Sequence, residues 1–181
     1  MPRPFSQSPL DADRLPTRAV CKRRNHRGGL LMTAEVHLKL TGNVDHLRIT
    51  WQAAEALLEL VPFYEDPVQT RYNVLLALQE AVSNVLRHGY GGPAPGSRAF
   101  IEVLLSWDGE ALRVQISDEA APFDPTEVLG APDTEDATRI PEGGYGIHII
   151  RAVLDHMEYA REDGKNVLTL AKSLAPVLDG V

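Results

Sequence analysis

Glu80, Asn84 and His88 stand four residues apart in the stretch LLALQEAVSNVLRHGY, residues 75–90. That spacing sets a carboxylate, a carboxamide and an imidazole nearly in line along one face of a helix. Leu75, Leu78, Val82, Val85 and Leu86 share the opposite face, which predicts the core side. Ala77 and Ala81 flank the polar line and leave a low surface that a ligand can approach. Asn84 sits mid-helix, where asparagine is a poor helix former and has no end to cap. The oxygens of Glu and Asn suit a hard cation such as Mg²⁺, which takes few protein ligands alongside phosphates and waters. A carboxylate one turn away can orient a hydroxyl or a water for attack. A plain solvated helix face has the same spacing, so other segments must decide between the two.

Two further segments carry chemistry. In ISDEAAPFDP, residues 116–125, Asp118 stands at the exit of an apolar run. It can turn its carboxylate inward and accept from an exocyclic amine, or simply cap the strand end. In EGGYGIHIIR, residues 142–151, a glycine-rich turn opens straight into a helical pattern. Backbone N–H groups at such a helix start form an anion site. The turn lacks the GxxxxGK[ST] form of a P-loop, and a hinge is the other reading.

These segments need elements to hold them. Residues 35–40, EVHLKL, alternate and predict a half-buried strand. Asn43 is the expected N-cap of a helix running to about Leu60. A second helix starts near Asp66, with Pro67 in its first turn, and runs to Gly89. A loop follows over residues 89–96. Strands are expected over 99–107 and 111–117, joined at Asp108-Gly109, and a second hairpin turns at Asp163-Gly164 between 158–161 and 166–172. A long loop spans 118–144, and a helix covers about 145–155. The order β-α-α-β-β-loop-α-β-β predicts an α+β fold: a two-layer sandwich whose mixed, mostly antiparallel sheet carries helices on one face.

The whole chain agrees with such a domain. It has 181 residues, 44% hydrophobic and 24% charged, an ordinary globular composition. One cysteine excludes a disulfide framework and a multi-Cys zinc site. No apolar run approaches the ~20 residues that span a bilayer, and no secretory signal stands at the start, so a cytoplasmic protein without a membrane contact is expected. Residues 1–31 hold seven Lys/Arg against two Asp, so the rest of the chain must carry −12 of the overall −7. An acidic body repels phosphate backbones and argues against direct nucleic acid binding. The basic, proline-rich segment 1–31 reads as a disordered tail, with Met32 as an alternative start. Residues 32–175 form the expected domain, with a C-terminal tail at 176–181.

In this order, the three segments resemble the nucleotide-binding boxes of the gyrase–histidine kinase–MutL ATPase superfamily, over roughly 34–173. EAVSNVLRHGY, the FDP after Asp118, and GGYGIHIIRAVLD followed by GKNVLTLAK are most similar to the small anti-sigma-factor serine/threonine kinases of bacterial partner switching. The resemblance implies a Bergerat-type ATP-binding fold, with ATP and Mg²⁺ as cofactors. It implies Glu80 as the base or hydroxyl-orienting carboxylate, Asn84 as the Mg²⁺ ligand, and Arg87 and His88 at the phosphates. Asp118 would read the adenine amine, with Ala120 beside it and Thr169 in support. Gly143, Gly144, Gly146 and Ile147 would wrap the phosphates under a lid at 125–142, with Arg139 as its nearest arginine. The implied partners are an anti-anti-sigma antagonist and a sigma factor, and the implied assembly is a homodimer. Two positions depart from the family pattern: Ala120 replaces a usual glycine, and Glu142 stands where an arginine often precedes the glycines. These departures suit an alternative, a non-catalytic nucleotide-gated binding switch. A detached histidine-kinase catalytic domain is a third reading.

Overall fold

The computed structural model describes residues 33–41, 45–92, 99–128 and 145–174. Strand β1 (Ala34–Thr41) leads to helices α1 (His46–Leu58) and α2 (Pro67–Asn84). Then come β2 (Phe100–Trp107), β3 (Ala111–Asp118), α3 (Gly146–Val153), β4 (His156–Glu162) and β5 (Lys165–Ser173). The expected α+β sandwich is present. The sheet is five-stranded in the order β1-β2-β3-β5-β4, and all four pairings are antiparallel. The expected parallel component is absent among the described residues; tight hairpins, which only make antiparallel neighbours, account for β2–β3 and β4–β5, and the longer connections of β1–β2 and β3–β5 also return antiparallel.

Both hairpins follow from their turn residues. Asp163 and Gly164 have φ of 47° and 82°, the double positive φ that a two-residue type I′ turn requires. At the first hairpin, Gly109 has φ 94°. The Asp108 carboxylate there accepts from the N–H groups of Glu110 and Ala111 at 3.0 and 2.9 Å and pairs with Arg113. Burial alone would raise the Asp108 carboxyl, but those donors outweigh it and hold it below the ordinary aspartate value.

Period-two alternation sends one side of each strand into the core. Ile101, Val103 and Leu105 of β2, Leu112, Val114 and Ile116 of β3, and Leu168 and Leu170 of β5 are buried against the helices. Val74, Leu75, Leu78, Val82 and Leu86 meet them from the helix layer. Each such side chain contributes roughly 1.5–3 kcal/mol when fully buried.

The helix starts differ from expectation at one end. The α1 cap is Asp45, whose side chain accepts from the Arg48 N–H at 3.0 Å; the expected cap, Asn43, lies outside the described residues. Asp66 caps α2 and accepts from the Gln69 N–H at 3.2 Å, with Pro67 next to it. Helix α2 does not finish as a plain α-helix. Residues Val85–Gly89 form a π turn, closed by the Tyr90 N–H on the Val85 carbonyl at 3.2 Å.

Candidate functional site

A straight α-helix drifts by about 40° every four residues. The wider π turn rotates less per residue and offsets that drift, so His88, four residues on, stays on the pocket side with Asn84. Single π turns of this kind are frequent at functional sites. Here Ala81, Asn84, Val85, His88 and Gly89 form one wall of a concave pocket. Val85 lines the pocket while also packing against the core. Asp118 and Ala120 at the end of β3, and Asn166 and Leu168 of β5, form the floor. Phe123 closes one side, its ring 6.3 Å from the His88 ring.

The three chemically suggestive segments thus meet, though not every expected residue joins them. Asn84, His88, Asp118 and Ala120 line the pocket. Glu80 stands beside it. A Cβ added to Gly146, the first residue of α3, would lie 2.7 Å from Glu80 Oε2 and 3.4 Å from Asn84 Nδ2. Helix α3 therefore covers Glu80 and Asn84 through a glycine, while His88 of the polar line stays exposed. Ile147 is buried and does not line the pocket. Arg87 is exposed and lies outside the lining. Thr169 is on the wrong side: it pairs with Gln115 and Glu158 on the outer face, whereas Asn166, Leu168 and Leu170 point inward. Arg139, Gly143 and Gly144 lie outside the described residues.

The floor is a hydrogen-bonded group. Asp118 is only 5% exposed and Asn166 only 6%. Asp118 Oδ1 accepts from the Ala120 N–H at 2.9 Å and from Asn166 Nδ2 at 2.8 Å. Tyr90 joins this corner to the helix end: its hydroxyl donates to the Phe100 carbonyl at 2.9 Å and accepts from the Glu119 N–H at 3.0 Å. Beyond the floor, Asp124 accepts from the Thr126 N–H and hydroxyl at 2.7 and 2.6 Å. The Arg151 guanidinium donates to the carbonyls of Thr126 and Val128 at 2.8 and 2.7 Å. The FDP segment is thereby tied to α3.

Ala120 fits its place. Its backbone is not in the positive-φ region, so an L side chain is unstrained there. Its methyl occupies space that Gly89 leaves open, for a Cβ on Gly89 would sit 2.7 Å from Ala120 Cβ. Two glycines are therefore unnecessary at this contact; one suffices. Helix propensity alone would favour alanine over glycine at 89 by about 1 kcal/mol, whereas overpacking costs about 1–3 kcal/mol. Gly89→Ala is expected to lower the urea midpoint, and Ala120→Gly in the same chain is expected to restore most of the loss. Equal midpoints for Gly89→Ala and the parent would mean that the contact relaxes freely.

A family model described as a histidine kinase-like ATPase domain matches residues 40–172. The chain belongs to that family. Among its relatives, the serine/threonine-protein kinase BtrW of Bordetella bronchiseptica is 31% identical over 106 residues, covering 59% of this chain and 72% of that protein. The serine-protein kinase RsbW of Bacillus cereus (strain Q1) is 18% identical over 138 residues, covering 74% and 82%. Among solved structures, the Acinetobacter baumannii histidine kinase AdeS aligns at a TM-score of 0.42 and 17% identity, over 77% of this chain and 68% of that one.

For a histidine kinase-like ATPase, the pocket chemistry fits an adenine nucleotide. Asp118 presents an acceptor at the closed end, and an apolar lining of Ala81, Ile150 and Leu168 suits a flat heterocycle. The oxygen donors of Asn84 and Glu80 suit Mg²⁺, which needs few protein ligands when phosphates supply others. No helix among the described residues is long and apolar enough to cross a membrane.

The residues missed from sequence are Asn166, Tyr159 and Arg161. A signal for the first was present. Asn166 is the polar member of the inward series Asn166, Leu168, Leu170 that begins two residues after the Asp163-Gly164 turn.

Proposed function

We propose that this ATPase-family chain is an ATP- and Mg²⁺-dependent serine/threonine-protein kinase and anti-sigma factor. Its substrate is an anti-anti-sigma antagonist, and the unphosphorylated antagonist competes with a sigma factor for it. The single observation that carries the reading is the convergence of Asn84, His88 and Asp118 on one pocket, with Glu80 against the start of α3. The kinase names of the relatives support the choice of reaction. The homodimer and the cytoplasmic location are parts of the same proposal.

Phosphoryl transfer is mainly positioning and charge stabilisation. Asp118 accepts a hydrogen bond from the adenine amine and fixes the base. His88, exposed at the edge of the pocket, faces the phosphates. Asn84 would hold Mg²⁺ through its side-chain oxygen, and the ion would neutralise charge on the phosphates. Glu80 orients the attacking serine or threonine hydroxyl and accepts its proton. The hydroxyl oxygen bonds to the γ-phosphorus as the bridging bond breaks, and ADP leaves.

The test is labelling of a candidate antagonist by the full chain with γ-labelled ATP and Mg²⁺. Acid-stable phosphoserine or phosphothreonine is expected. Tight ATP binding without label would sink the kinase reading and leave the nucleotide-gated switch. Acid-labile phosphohistidine on a partner would favour the histidine-kinase reading. Asn84→Ala is expected to lose the Mg²⁺-dependent gain in nucleotide affinity, about tenfold or more, with its unfolding midpoint near that of the parent. Unfolding of that variant would assign Asn84 to the structure instead.

A further inference from the structure

We propose that Asn166 is a positioning residue that sets the base selectivity of the pocket, acting through Asp118. The proposal rests on the adenine-nucleotide reading above and assigns a role to a residue that the resemblance left without one. Its basis is one rung of the sheet: Asp118 of β3 pairs with Asn166 of β5, which pairs with Arg161 of β4. Three strands thus bring a carboxylate, a carboxamide and a guanidinium side by side at the closed end of the pocket.

The donors and acceptors fix each orientation. Asn166 Oδ1 accepts from the Tyr159 hydroxyl at 2.8 Å and from Arg161 at 2.6 Å. Two donors there leave no choice for the carboxamide: its Nδ2 must face the other way. On that side stand acceptors only, Asp118 Oδ1 at 2.8 Å, the Ala121 carbonyl at 3.1 Å and the Ala120 carbonyl at 3.4 Å. Arg161 also donates to the Ala120 carbonyl at 2.9 Å. Asp118 Oδ1 is then held by Asn166 and by the Ala120 N–H. Among the described residues no protein donor reaches Oδ2, which is the oxygen left to meet a ligand.

A carboxylate clamped in this way presents one acceptor at one place. A purine with an exocyclic amine donates to it. A purine with a carbonyl there meets acceptor against acceptor and cannot escape, because Asp118 cannot turn. Without Asn166 the carboxylate can rotate, which weakens the bond to the amine and relieves the clash with the carbonyl. The two affinities should therefore move toward each other. A purely structural injury would lower both together.

The test titrates the full chain with ATP and with inosine triphosphate, each with Mg²⁺. The parent is expected to favour ATP by on the order of 10²-fold. Asn166→Ala is expected to reduce that ratio about tenfold or more, with the KM for ATP rising and kcat changing less. Tyr159→Phe removes one donor on Asn166 and is expected to reduce the ratio several-fold, so it decides the matter if Asn166→Ala fails to fold. An unchanged ratio in the folded variants, with both affinities lowered alike, overturns the role of Asn166 while leaving the adenine reading intact. A parent that binds both nucleotides equally overturns the adenine reading, and this proposal with it.

Discussion

Glu80→Gln is expected to bind ATP within a few-fold of the parent and to transfer its phosphoryl group about 10²–10⁴-fold more slowly. The two effects separate because the proposed base contacts lie elsewhere. Asp118, Ala120 and Leu168 line the closed end of the pocket, whereas Glu80 stands beside it against Gly146. Glutamine keeps the length and shape that α3 packs against, where alanine would open a gap under that helix. What it loses is the capacity to take a proton. Single-turnover transfer to the antagonist, set beside a nucleotide titration, reads both quantities. Full retained activity would exclude Glu80 as the base. An equal loss of binding and transfer would place it among the nucleotide contacts instead.

Much of the fold was legible because local rules decide it. Asp108-Gly109 and Asp163-Gly164 fixed two hairpins, and alternation marked residues 35–40 as a half-buried strand, which is β1. The short range of those rules is also their limit. Residues 75–90 read as one straight helix, and the π turn at Val85–Gly89 escaped notice. No propensity marks such a turn; it exists because the tertiary contacts of Gly89 with Ala120 and of Tyr90 with Phe100 and Glu119 hold it.

The candidate site divides the same way. Asn84 stood out as a poor helix residue at mid-helix, His88 by its spacing from Glu80, and Asp118 by its place at a strand exit; the structure brings the three to one pocket. Thr169 came from the resemblance alone, without regard to its parity. Counting from the two-residue turn pairs Glu162 with Lys165 and Arg161 with Asn166, and Leu168 and Leu170 mark the even-numbered residues of β5 as the inward set, so Thr169 faces out. That count was available in advance. The pairing of Asn166 with Asp118 was not, since it joins strands 48 residues apart and depends on β5 entering the sheet beside β3.

Gly146→Ala is expected to leave the fold almost unchanged and yet slow phosphoryl transfer by about 10²-fold. The added Cβ would lie 2.7 Å from Glu80 Oε2, but 3.5 Å from Glu80 Cβ. The close contact is thus with the far end of a side chain, which can swing aside at little cost. Alanine is also the better helix residue, so the melting temperature should stay within about 2 °C of the parent. The displaced group is the one proposed to aim the hydroxyl, and a misplacement of about 1 Å can cost on the order of 10²-fold in rate. The same glycine belongs to the turn proposed to wrap the phosphates, so a slow variant has two explanations. Combining it with Glu80→Gln separates them. If Gly146→Ala acts by moving the carboxylate, the double variant should be no slower than Glu80→Gln alone, because both changes remove one contribution. If the glycine holds phosphate directly, the two losses should multiply and the affinity for ATP should fall with them. A shared loss would make Gly146 the residue that lets α3 close over Glu80 without touching it, and would explain why a glycine opens that helix.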